Sequence, residues 1–246
     1  MPTKIQWTQE VWNPVTGCNK VSEACENCYA EVMSRRLSGM PGSKDKYRNG
    51  FKVTLHPESL VEPLKWKQPR MIFVCSMGDL FHDKVSSAFI DQVMDVIKRT
   101  PQHTYQILTK RSERLATYFV TESISVPDNV WLGVTCESSK HYKRVYDLQC
   151  ITGAKVKFLS CEPLLGDMPD LPLDGINWVI TGGESGPKAR RTPVEHFRNL
   201  RDRCVNAGVP FFFKQWGAWG PDGIKRSKYA NGALLDGQEW KQMPEL

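Results

Sequence analysis

Met71–Cys75 (MIFVC) and the segment Ser87–Arg99 (SAFIDQVMDVIKR) decide the fold class. The first is a continuous apolar run of the kind shown by a strand buried on both faces. The second places Ile90, Val93, Met94 and Ile97 at i, i+3, i+4 and i+7, which predicts a helix with one buried face. The alternation then repeats. Thr104–Leu108 (TYQIL), Val130–Val134 (VWLGV), Val156–Leu159 (VKFL), Trp178–Thr181 (WVIT) and Pro210–Phe213 (PFFF) read as strands, and Glu113–Phe119, Lys140–Cys150 and Val194–Val205 as helices. Six strands alternating with helices or loops predict a parallel sheet with right-handed crossovers. Weaker strands near Trp12 and Val53 would bring the count to eight. The expected fold is therefore α/β, a (β/α) barrel that is either complete and eight-stranded or partial and six-stranded, with parallel strands. Neither an internal repeat nor a Gly/Ser-rich linker divides the chain, so residues 1–246 are expected to form one domain with an irregular tail from about 220.

Upstream of the regular region lies Trp12–Tyr29 (WNPVTGCNKVSEACENCY), which gathers Cys18, Cys25 and Cys28 near the N-terminus. Disulfides use cysteines in pairs and a structural zinc site takes four protein ligands, whereas three thiolates leave a metal centre with an open position. An iron–sulfur cluster held by three cysteines has such an open corner. Ala30–Leu37 (AEVMSRRL) predicts a helix directly after the last cysteine. The other cysteines differ: Cys75, Cys136 and Cys204 sit in apolar runs and read as small buried hydrophobes, while Cys161 lies next to a strand end. His56, His82, His103, His141 and His196 show no metal-ligand spacing, so a zinc site would need the three clustered cysteines plus His56 or His82.

Composition is that of an ordinary globular protein, with 40% hydrophobic and 24% charged residues, and no apolar run approaches a membrane span. The N-terminal MPTKIQWTQEVW lacks the apolar core of a signal peptide, so a cytoplasmic location is expected, with the eight cysteines as free thiols or metal ligands. A formal charge of +6 suits a nucleic-acid partner but is equally that of a soluble protein, and the basic runs Lys188–Arg191 (KARR), Arg198–Arg203 and Lys225–Lys228 (KRSK) each read singly as solvated surface.

In a (β/α) fold, functional side chains gather where strands end. Each strand run here is followed by a charge: Ser76 and Asp79 after Cys75, Lys110 and Arg111 after Leu108, Glu137 after Val134, Glu162 after Leu159, Glu184 after Thr181, and Lys214 after Phe213. Asp79, Lys110, Glu137, Glu162, Glu184 and Lys214 are the candidate catalytic residues, on a rim suited to a small zwitterion or other polar substrate. Gly182–Gly183 would admit backbone close to a ligand. Trp216 and Trp219 (KQWGAW) offer base-stacking surfaces or ordinary packing.

A cysteine triad before a helix, at the start of a (β/α) barrel, resembles the radical S-adenosylmethionine (radical SAM) superfamily. The resemblance is nearer to its spore photoproduct lyase-like branch, through Cys28–Tyr29, SMGDLFH (Ser76–His82), LTKR (Leu108–Arg111) and CEPL (Cys161–Leu164). Over nearly its whole length the chain also resembles a phage and bacterial family defined by three cysteines, through its WNPVTGC, SMGDLF, LTKR, SCEPLLG, GGESG and FFFKQWG blocks. The superfamily resemblance implies a [4Fe–4S] cluster on Cys18, Cys25 and Cys28, chelation of its fourth iron by SAM, and reductive cleavage of SAM to a 5′-deoxyadenosyl radical that abstracts hydrogen. It further implies an electron donor protein as partner; the candidates for SAM contacts by position are Tyr29, Ser76, Asp79, Lys110 and Glu137. The branch and the phage-type family lean toward a nucleobase or nucleic-acid substrate, for modification or repair, in the host cytoplasm if phage-encoded. Two departures stand out: the spacing is Cys18-x6-Cys25-x2-Cys28 instead of C-x3-C-x2-C, and Gly-Gly-Glu, which in the superfamily soon follows the cysteines and holds the SAM amino group, lies far downstream at Gly182–Glu184. That role is therefore not carried over to Glu184. The alternatives are a zinc-stabilised, non-catalytic nucleic-acid-binding protein and a cluster-free hydrolase using Asp79, Glu137 and Glu162.

Overall fold

The computed structural model describes residues 3–245. The chain divides into two compact units, Met1–Leu132 with Ile151–Lys155, and Gly133–Cys150 with Val156–Leu246. In the first, β1 (Glu10–Trp12), β4 (Met71–Val74) and β5 (Thr104–Thr109) pair in parallel, Trp12 opposite Val74 and Val74 opposite Ile107. β2 (Val15–Thr16) and β3 (Thr54–Leu55) form a separate antiparallel ribbon. Parallel neighbours need a long crossover, which α2 (Ser87–Lys98) supplies between β4 and β5. Ser86 caps this helix by accepting from the Phe89 amide at 3.3 Å, and the expected stripe of Ile90, Val93, Met94 and Ile97 is buried. α1 (Tyr29–Leu37) follows Cys28 directly, and α3 (Ser112–Ala116) runs on into a π turn over Thr117–Thr121.

β6 (Val130–Thr135) spans the division between the units. The second unit adds α4 (Tyr142–Gln149), β7 (Val156–Cys161), β8 (Trp178–Thr181), α5 (Val194–Asn206) and β9 (Phe211–Phe213). β7, β8 and β9 are parallel, with Leu159 opposite Val179 and Val179 opposite Phe211. The tail carries α6 (Lys228–Asn231) and a hairpin of β10 (Leu234–Leu235) and β11 (Gln238–Glu239).

The main sheet has the order β1-β4-β5-β6-β7-β8-β9. All six expected strands are present, and the architecture is α/β with a parallel seven-stranded sheet, consistent with a partial (β/α) barrel. Seven lies between the two expected counts. The segment near Trp12 joins the sheet as β1, but the one near Val53 does not: Thr54–Leu55 pairs with β2 instead. Among the described residues, no helix is long and apolar enough to cross a membrane.

Candidate metal centre and strand-end charges

Two glycines position the cysteine loop. Gly17 has φ +81°, and a Cβ there would lie 2.2 Å from the Lys52 carbonyl oxygen; a Cβ on Gly78 would lie 2.7 Å from that of Val15. Only glycine allows these approaches. They let the Gly17 amide donate to Met77 O at 2.8 Å and the Cys18 amide to Phe51 O at 3.1 Å, pinning the start of the loop to the turn after β4 and to the segment before β3. Asn13 Oδ1 accepts from the Met77 amide at 3.0 Å and from Ser76 Oγ at 3.3 Å, so the Trp12–Cys18 and Ser76–Asp79 segments form one assembly. At the other end of the loop, a 3₁₀ turn over Glu23–Cys25 leads to Cys28, the N-cap of α1. Tyr29 Oη donates to Ser76 O at 2.6 Å. Cys28 packs beside Ala30, Tyr47 and Met77.

Cys18, Cys25 and Cys28 are free thiols of intermediate exposure, the only cysteines in that class among the described residues. Cys75, Cys136 and Cys204 are buried as expected, and burial pushes each thiol up to about 12. Cys161 is buried too, with its pKa raised by the same cause, which places it in the core. Cys150 is exposed. The triad is thus a chemically distinct donor set: three accessible soft ligands, Cys28 at the start of a helix whose first amides favour negative charge. Among the described residues, no three His, Cys, Asp or Glu side chains surround a single-ion position. Neither candidate histidine turns a ring nitrogen to the thiols. His56 is held by Thr16 Oγ1 at 2.7 Å and Glu58 Oε1 at 3.2 Å; His82 is held by Asn19 Oδ1 and by the Lys84 amide at 3.1 Å. By ligand chemistry alone, three thiols without a fourth protein ligand would suit a group that leaves one position to another molecule.

Arg111, present in the LTKR block but not among the expected site residues, lies at the centre of the polar network beside the loop. Its Nη1 donates to Asp79 Oδ2 at 2.9 Å and to Cys18 Sγ at 3.4 Å, and its Nη2 to Asn19 Oδ1 at 2.6 Å. Burial disfavours the guanidinium's charge, but Asp79 and Cys18 outweigh it and raise its pKa. Burial pushes the Cys18 thiol up and Asp79 adds to this, while Arg111 opposes them. Asp79 also accepts from Thr109 Oγ1 at 2.7 Å and the Phe81 amide at 3.0 Å, so its carboxylate is buried and already engaged. Of the other residues expected to contact SAM in this unit, Ser76 is buried at 9% exposure, Lys110 is half-buried and Tyr29 is exposed.

In the second unit the carboxylates lie at the strand ends, as expected, but in ion pairs. Glu137, fully buried, accepts from Arg144 Nη1 at 2.9 Å, with His141 Nε2 at 3.6 Å. Glu184, also buried, receives Arg190 Nη2 at 2.6 Å and the Arg190 amide at 2.7 Å. Glu162 and Lys214 are both half-buried and pair with each other at 3.0 Å. Trp216 is packed against Phe197 and Phe213, its Nε1 donating to Leu234 O at 2.8 Å, so ordinary packing explains it and base stacking does not. Sequence reading noted Arg111 at its strand end without making it a site residue, and it missed Arg144 and Arg190; an Arg six or seven residues beyond each Glu was the available signal.

The profile of a family described as "Protein of unknown function (DUF5131)" matches residues 2–244. The chain belongs to this family. No curated protein matches it. Among solved structures, a mutant of spore photoproduct lyase is similar with TM-score 0.50 at 13% identity, over 82% of this chain and 62% of that one. Spore photoproduct lyase complexed with dinucleoside spore photoproduct gives 0.46 at 11% identity, over 77% and 58%. The DUF5131 chain spans about three fifths of the length of these structures, and the first likeness is one of fold.

Proposed function

We propose that the chain is a radical SAM-type enzyme in which Cys18, Cys25 and Cys28 hold a [4Fe–4S] cluster and SAM takes its open position. The observation that carries this reading is the accessible triad, apart from every buried thiol, pinned by Gly17 at one end and α1 at the other. When bound, the cluster and SAM supply an electron and a 5′-deoxyadenosyl radical for hydrogen abstraction.

The chain's own residues order and shield this chemistry. Arg111 gives Cys18 an N–H donor and is itself anchored by buried Asp79. Lys110 is the cation proposed to pair the SAM carboxylate, with Tyr29 and Ser76 as further proposed SAM contacts. Asp79, saturated by its partners, becomes a positioning residue. In the second unit, taken by itself, half-buried Glu162 and Lys214 remain candidate catalytic residues, and Glu137 and Glu184 act through Arg144 and Arg190. An electron donor protein completes the reaction, and the proposed substrate is a nucleobase or nucleic acid. We also propose that residues 1–246 unfold as one domain, which a single transition seen by both fluorescence and circular dichroism would show.

The test is anaerobic reconstitution with iron and sulfide, then assay of 5′-deoxyadenosine with reductant. Wild type is expected to produce it and Cys25→Ala not to. Equal behaviour of the two would overturn the reading, and a hydrolytic activity indifferent to cysteine substitution would favour the cluster-free alternative. The zinc alternative would draw its fourth ligand from His56 or His82, whose ring nitrogens bond other groups, which weighs against it.

A further inference from the structure

Two of the three basic runs, Lys188–Arg191 and Lys225–Lys228, are far apart in sequence but meet on the surface of the second unit. Trp219 and Lys225 pair as an antiparallel bridge, with the Gly220 amide donating to Ile224 O at 3.0 Å, so residues 219–225 form a tight hairpin. Lys225 Nζ lies 5.3 Å from the centroid of the Trp219 ring. The same hairpin is tied to the upstream run: Trp219 Nε1 donates to Ala189 O at 2.8 Å, and Lys225 Nζ to Pro187 O at 2.5 Å. Arg191 lies over the turn, since a Cβ on Gly223 would come within 2.6 Å of its Nη2. α6 then presents Lys228, whose Nζ is 5.3 Å from the centroid of Tyr229, a ring left 78% exposed.

The balance of charge here differs from that of the third run. Asp222 is matched by Arg226 at 2.6 Å, and the exposed Arg191, Lys225 and Lys228 add positive charge to the joined runs. In the third run, by contrast, Arg198 pairs with Asp236 and Glu195, and Arg201 with Asp236 and Asp202. We propose that the patch formed by Lys188, Arg191, Lys225, Lys228 and Tyr229 is a binding site for single-stranded nucleic acid. The cations follow the phosphates and Tyr229 stacks on an unpaired base, the combination that single-strand binding sites use. Trp219, covered by Lys225 and bonded to Ala189, holds the two runs together and is a positioning residue.

The inference deepens the nucleic-acid part of the proposed function, and its test separates the two. Binding of a fluorescent single-stranded oligonucleotide is measured by anisotropy across salt concentrations with the full chain. The Lys188→Gln/Arg191→Gln/Lys228→Gln variant is expected to bind at least tenfold more weakly. Its log–log salt slope should be shallower by about 2, at roughly 0.7 for each phosphate no longer neutralised. Tyr229→Ala should weaken binding about tenfold with the slope unchanged. A control of equal charge, Lys65→Gln/Lys67→Gln/Lys98→Gln, should bind as wild type. Equal losses in both triple variants, or duplex binding indifferent to Tyr229, would overturn the site. Wild type that makes 5′-deoxyadenosine but binds no oligonucleotide at low salt would overturn this inference alone; wild type that binds through the patch without cleaving SAM would overturn only the radical reading.

Discussion

The strand ends of the first and second units carry similar charges to different effect. In the first, the Asp79–Arg111 pair is buried but reaches outward, Arg111 touching Cys18 and Asn19 of a loop whose three thiols are accessible. In the second, buried Glu137 and Glu184 are engaged by Arg144 and Arg190, while Glu162 and Lys214 are half-buried as a pair. A charged residue at a strand end is therefore weak evidence of a ligand contact. The stronger evidence is a donor set that the fold holds in place and leaves accessible.

The largest effect expected from this contrast is on the proposed cluster. Cys28→Ala should lower iron and sulfide after reconstitution from about four each per chain to near zero, while Glu184→Gln should stay loaded; a loaded Cys28→Ala protein would remove the distinction between the units. Next is stability. Arg144→Ala removes the guanidinium from buried Glu137 and should cost about 3–5 kcal/mol, read from the urea midpoint. An unchanged midpoint would mean the pair is not engaged as described. Arg111→Lys keeps the charge but loses the fork that bonds Asp79, Asn19 and Cys18 together, for about 1.5–3 kcal/mol. It should also move the cluster's reduction potential, a readout that Arg144→Lys should leave alone. The smallest effect is expected from Lys214→Met, within about 1 kcal/mol in stability because the Glu162–Lys214 pair is partly solvated. Its consequence should instead be lower turnover with normal iron content.

What the sequence made legible follows from the range of the interactions involved. MIFVC announced β4 because a strand buried on both faces needs an unbroken apolar run, whereas TYQIL, with Gln106 at its centre, announced β5 only as part of the repeating strand–helix alternation. Thr54–Leu55 misled because a two-residue antiparallel ribbon leaves the same faint alternation as a sheet strand. The cysteine triad and the strand-end charges were visible as local patterns, but their partners were not. Asp79 meets Arg111 across 32 residues, a pairing set by the parallel register of β4 and β5 and not by spacing. The junction of KARR with KRSK depends on the Trp219–Ala189 hydrogen bond, which nothing in either run discloses.

The central claim rests on what Cys18, Cys25 and Cys28 hold, and the most direct test is iron, zinc and acid-labile sulfide analysis of protein purified and reconstituted without oxygen, wild type against Cys25→Ala. About four iron and four sulfide are expected per wild-type chain, and neither in the variant. One zinc without sulfide, or an iron content that Cys25→Ala leaves unchanged, would contradict the claim.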